Sequence, residues 1–182
     1  MKGIDVTLKQ KRKKFIILLF FLIILLCIIP IPIKMNQSIS GIELSPTDTN
    51  VNNSVKITIQ GTFYWKIRKL LGQDKFKGNI SINNYPFTEE KILANNRSIQ
   101  IIYNDSTPMI YYNKKNIFDI DSLGYIGTTW KFKHFAILVQ TDPLNPTFII
   151  AHAKNREEAL HELKFLDKAF DGLVEYKQLK AK

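Results

Sequence analysis

A metal centre or a proton-transfer centre needs side chains that converge, and few residues in this 182-residue chain could supply one. The three histidines, His134, His152 and His161, stand neither at i, i+4 nor at i, i+2 from one another, so no two share a helix or strand face as metal ligands do. Cys27 is the single cysteine and lies inside an apolar run. The chain beyond it therefore has no thiol for a disulfide, a zinc ligand or the nucleophile of a sortase-like transpeptidase. A serine peptidase with a lysine base would need a placed Ser, yet Ser106-Thr107-Pro108-Met109 reads as a hairpin turn. Asp119 and Asp121 share a strand face at i, i+2 and suit a solvated strand end, while Glu157 and Glu158 suit the positive end of a helix dipole. No catalytic residue, metal site or cofactor is expected from these patterns, and an envelope hydrolase stands only as a competing reading.

The pattern with the clearest chemical meaning is basic. Thr62, Tyr64, Lys66 and Arg68 alternate along one predicted strand, and Lys75 and Lys77 along the next. If the two pair as a hairpin, Tyr64, Lys66, Arg68, Lys75 and Lys77 face solvent together, where cations can meet phosphate and Tyr can pack against sugar or acyl surface. The bland reading of the same residues is a solvated strand edge, for which Lys is the usual protection against aggregation.

The elements that must position this face follow from period-2 alternation. In Val55–Ile67 the residues Val55, Ile57, Ile59, Phe63, Trp65 and Ile67 mark the buried face, with Gly61 as an expected bulge. Phe76–Ile82 follows the turn Gly72-Gln73-Asp74 as the hairpin partner. A short helix is expected near Thr88–Ala94, then a meander of Ile99–Tyr103, Met109–Tyr112 and Ile117–Ile120, separated by turn-forming Asn104–Pro108 and Asn113–Asn116. Phe135–Val139 and Phe148–Ala151, apolar on both sides around the turn at residues 142–146, should be central strands covered on each face. The cover is a C-terminal helix with Asn155 as N-cap, Glu158 three residues on, Gly172 as C′, and Ala159, Leu163, Leu166 and Phe170 as its buried stripe.

The N-terminus differs from all this. Residues 15–33 carry no charge; as helix they would extend about 28 Å, against a hydrocarbon core of about 30 Å. Pro30 and Pro32 would fall in the last turn. Lys9, Lys11, Arg12, Lys13 and Lys14 precede the run and Lys34 nearly alone follows it, which places the N-terminus in the cytoplasm and the rest outside. No small residues offer a signal-peptidase or lipoprotein cleavage site, so an uncleaved anchor is expected. The net charge of +10 is concentrated here: residues 1–34 hold seven of the 26 basic and one of the 16 acidic residues, leaving 19 against 15. That remainder is too dilute for a nucleic-acid partner.

The organisation expected is thus a basic cytoplasmic tail (1–14), a transmembrane helix (15–33), a juxtamembrane linker (34–54) and an extracytoplasmic domain (55–182). Its fold class is α+β, a mostly antiparallel sheet with a C-terminal helix packed on it. Residues Asp74-Lys75-Phe76-Lys77-Gly78-Asn79-Ile80, Leu123-Gly124-Tyr125-Ile126 and the 149–160 stretch with Ala153-Lys154-Asn155-Arg156-Glu157-Glu158-Ala159 resemble a small group of membrane-anchored, β-rich outer-domain proteins of Gram-positive bacteria. That resemblance implies a fold and a surface location, and no activity. The function expected is a non-enzymatic interaction module of the cell membrane whose partners are the bilayer, through residues 15–33, and an anionic envelope polymer or a membrane protein. An immunity or accessory protein for a membrane partner is the third reading.

Overall fold

β-Branched and aromatic residues at every second position favour strands wherever one face can be buried, a pattern clearest in the second and third of the nine strands among the described residues. The computed structural model describes residues 13–22, 29–48, 52–66, 73–94, 97–102 and 105–181. Its strands are β1 (Ile31–Leu44), β2 (Asn52–Trp65), β3 (Asp74–Ile82), β4 (Ile92–Leu93), β5 (Ile99–Ile101), β6 (Ser106–Tyr112), β7 (Ile120–Thr128), β8 (Phe135–Val139) and β9 (Thr147–Ala151). They form one antiparallel sheet in the order β4-β6-β7-β8-β9-β1-β2-β3-β5. The sheet curls into a half-barrel. Its concave face holds Ile57, Ile59, Phe63, Phe76, Ile80, Tyr111 and Ile137, all buried, and the Tyr111 hydroxyl crosses that core to donate to the Ile80 carbonyl at 2.6 Å.

The convex face is covered where β1, β8 and β9 meet. Ile42, Leu44, Leu138, Phe148 and Ile150 point outward there and pack under helices α3 (Arg156–Leu163), α4 (Asp167–Phe170) and α5 (Val174–Ala181). The expected stripe is the packing face: Ala159, Leu163, Leu166 and Phe170 are all buried. Asn155 caps α3, its side-chain oxygen accepting from the Glu158 amide at 2.9 Å. The helix is broken, however, by a 3₁₀ turn at Lys164–Leu166, and Gly172 carries no left-handed cap, because the chain continues directly into α5.

Four further expectations change. Residues 34–54 are not a linker, since Ile31–Leu44 is a 14-residue strand that pairs along its whole length with β2. Because Ile31, Pro32 and Ile33 belong to β1, the helix expected over 15–33 ends before them. Gly61 makes no bulge: it faces Gly78, and a Cβ at Gly61 would lie 2.4 Å from the Lys77 carbonyl oxygen, so the pair permits a close approach of β2 and β3. The meander is not formed either. β5 pairs with β3, β6 starts within the expected turn at Ser106, and residues 117–118 form the tip of the β6–β7 hairpin. Pro108 is tolerated inside β6 because β7 is its only laddered neighbour at that position.

Residues 13–22 (α1) are helical and exposed. Among the described residues no helix is long and apolar enough to cross a membrane, and residues 23–28, in the middle of the expected span, lie outside them.

Candidate functional site

Alternation in β2 sends Phe63 inward, fully buried, and Tyr64 outward. The ladder then fixes Tyr64's neighbours: Pro32 of β1 on one side and Lys75 of β3 on the other. One row along, Thr62 lies between Lys34 and Lys77. Tyr64, Lys66, Lys75 and Lys77 line one cleft of about 340 Å³ with Pro30 and Ser98. Four of the five residues singled out in the sequence are therefore brought together; the fifth, Arg68, lies outside the described residues. Lys34, Pro30 and Ser98 were missed. Pro30 and Lys34 fell in what read as helix end and linker, and Ser98 reaches the face only through the β3–β5 pairing, which no local pattern signals.

The electrostatics of the face are one-sided. Among the described residues no acid forms an ion pair with Lys34, Lys75 or Lys77. The nearby carboxylate Asp74 is buried on the opposite face of β3 and accepts from the Lys66 amide at 2.8 Å. Closely set cations on a wall backed by apolar core attract an anion more strongly than the same charges dispersed in water.

The barrel end that carries the start of β1 is aromatic. Trp65 pairs with Ile31 and meets Trp130, from the β7–β8 turn, edge-on at 6.0 Å. The Lys131 ammonium lies 4.3 Å from the Trp130 ring centre. Lys131 and Phe132 both hold left-handed backbone, with φ of 53° and 56°, a conformation costly for residues with a Cβ. The turn is held there by Phe132, which is buried against Phe63, Phe76 and Phe135.

The residues weighed for catalysis are otherwise engaged. Asp119 and Asp121 both bind Lys91, the second at 2.6 Å, and Asn113 donates to Asp119 at 2.8 Å. These contacts, Lys91 first, hold the Asp119 carboxyl below the usual carboxylate range, and the two aspartates raise Lys91 in turn. Ser106 opens β6 and its amide is bound by Asp105. His134 contacts Glu162 at 2.7 Å and stacks on Phe165, which His161 meets edge-on, while His152 follows β9 with a left-handed φ of 64°.

Glu43 was missed altogether, because its strand read as linker. Its side chain is buried at the concave face, accepting from Tyr85 at 2.5 Å, Thr147 at 2.8 Å and Asn84 at 3.3 Å. Burial, and next the bond to Glu43, push the Tyr85 phenol well above its ordinary range, so it stays a donor. Three neutral donors around one carboxylate tie the β3–α2 loop to β1 and β9; α2 is the short helix Phe87–Glu90.

Comparison of the chain with protein-family models, with curated proteins and with solved structures returns no match.

Proposed function

We propose that this protein is a membrane-anchored, extracytoplasmic interaction module that binds a phosphate-bearing anionic component of the cell envelope through the outer face of β1, β2 and β3. The observation that carries the reading is the convergence of Tyr64, Lys66, Lys75 and Lys77 on one cleft whose wall includes Pro30. Pro30 is the residue at which the apolar segment gives way to β1, so ligand site and anchor adjoin. The apolar residues ahead of the bend at Ile29, 15–28, would as helix extend about 21 Å, a mismatch with the bilayer that Lys13 and Lys14 can relieve by extending their ammonium groups to the interface. With no linker, the end bearing Trp65, Trp130 and Lys131 rests at the interface, the depth that Trp and Lys favour.

The test is fluorescence anisotropy of labelled poly(glycerol phosphate) titrated with the full chain held in phosphatidylcholine nanodiscs, across a salt series. Each cation near an anionic surface contributes about 1 kcal/mol, so joint replacement of Lys66, Arg68, Lys75 and Lys77 by Glu should weaken binding at least a hundredfold at low salt. Wild-type binding should fall steeply as salt rises. Equal binding by both proteins, or none by either, returns these residues to the role of a solvated edge.

A further inference from the structure

A second cleft, of about 370 Å³, adjoins the basic one. It lies along the outward faces of β5 and β6, where Ile102, Pro108, Ile110 and Tyr112 give an apolar lining, Arg97 stands at the side, and Ser98 belongs to both clefts. The register explains the junction. Lys75 opposes Gln100 and Phe76 opposes Ile99, so Ser98 comes beside Lys77. The trough has an equally simple origin: β5 ladders with β3, and β6 with β4 and β7, so these two strands are neighbours without a ladder between them. The Thr107 hydroxyl, donating to the Gln100 carbonyl at 2.9 Å, bridges them from the concave side.

Resting on the reading of the basic face as a phosphate site, we infer that the two clefts together hold one anionic phospholipid of the membrane in which the chain is anchored. Its phosphate meets Lys75 and Lys77, with the Tyr64 and Ser98 hydroxyls beside them, and one acyl chain lies in the β5–β6 trough. Charge selects the head, since Lys75 and Lys77 have no acidic partner among the described residues. Apolar lining selects the tail. Pro30 in the wall of the basic cleft sets its mouth where the apolar segment meets β1, so a lipid enters by rising from the interface rather than by crossing water. Both volumes fall in the range of roughly 300–1,000 Å³ usual for small-molecule sites. A wall polymer offers phosphate without the acyl chain, and a neutral phospholipid offers the chain without net charge; neither fills both clefts.

The full chain in phosphatidylcholine nanodiscs, doped with phosphatidylglycerol bearing a diazirine on one acyl chain, provides the test. After irradiation, the tryptic peptide running from Ser98 to Lys114 should carry label at least tenfold above the level given by the matching diazirine phosphatidylcholine. Lys75→Glu with Lys77→Glu should remove that excess. Ile110→Trp, which fills the trough, should lower it at least fivefold. Thermal melts within a few degrees of wild type show that both variants remain folded, and if either is not, Lys75→Gln with Lys77→Gln and Ile110→Phe take their place. Label confined to the apolar N-terminal segment, or equal on the 98–114 peptide for the two lipids, overturns the inference. If that happens while poly(glycerol phosphate) still binds, the acyl trough alone is refuted; if the polymer fails to bind as well, the basic face is refuted with it.

Discussion

At the scale of single residues, burial separates two aromatics that the strand pattern treats alike. Phe63 and Trp65 both lie on the inward face of β2, but Phe63 is fully buried against Phe132, whereas Trp65 lies at the strand's end, half-buried against Trp130. Alternation gives the face of a residue; it does not give its distance from the open end of a half-barrel. Phe63→Ala should therefore cost about 3–5 kcal/mol, as for a large side chain removed from a core. Trp65→Ala, which the sequence alone would rank equally severe, should cost about 1–2 kcal/mol. Urea unfolding of the two variants checks this, and equal losses would show that the β7–β8 turn seals the barrel end more tightly than its Trp pair indicates. Lys131 offers a test of opposite sign. Its left-handed backbone favours glycine, so Lys131→Gly should gain about 0.5–1 kcal/mol once the greater freedom of glycine in the unfolded chain is set against the relieved strain.

At the scale of elements, what was legible in the sequence was local. β2 and β3, the two strands β8 and β9 that are buried on both faces but for Thr147, and the start of α3 follow from alternation, apolar runs and one N-cap. β1 was hidden because an apolar membrane-like run leads straight into it and because Gln37 and Glu43 sit at inward positions of a polar-looking strand. β7 was hidden by Gly124 and Gly127; a Cβ at Gly127 would lie 2.6 Å from the Phe170 ring, so that glycine is a helix-packing feature written into a strand. The candidate face was legible to the extent that one hairpin carries it, and illegible where β1 and β5 complete it. α5 was missed because its contacts are tertiary: Tyr176 donates from it to Asp167, and Lys180 reaches the same carboxylate at 3.1 Å. The bond from Tyr176, and next that from Lys180, hold the Asp167 carboxyl below its usual range. A depressed carboxylate stabilises the fold above its unfolded pKa, about 3.9, and that contribution is lost as pH falls through the lower folded value. Melting temperature should thus decline below about pH 4 in the wild type, and Asp167→Asn should flatten that part of the profile. An unchanged slope in the variant would assign the acid sensitivity to other carboxylates.

At the scale of the whole molecule, the absence of a linker decides how the domain can move. A fragment beginning at Gln37 would lose the β1 residues that pair with Gln60–Trp65, including buried Met35. One beginning at Pro30 keeps the strand entire. The same continuity makes topology a sharp question: under the anchoring proposed above, a domain whose central strand begins where the apolar segment ends would have little slack with which to adopt two placements. By the positive-inside rule, the asymmetry of Lys9, Lys11, Arg12, Lys13 and Lys14 against Lys34 predicts that domain outside. Leu144, in the β8–β9 turn and 86% exposed, is a site where a substitution disturbs no packing. In a Cys27→Ser background, Leu144→Cys should react with a membrane-impermeant maleimide on intact cells, and Lys9→Cys should react only after the cells are opened. Replacing Lys11, Arg12, Lys13 and Lys14 with Gln should then let a fraction of chains insert the opposite way, lowering Leu144→Cys labelling and exposing Lys9→Cys. Labelling of Lys9→Cys alone on intact cells, with the flank unaltered, would place the half-barrel in the cytoplasm and its basic face against the inner leaflet.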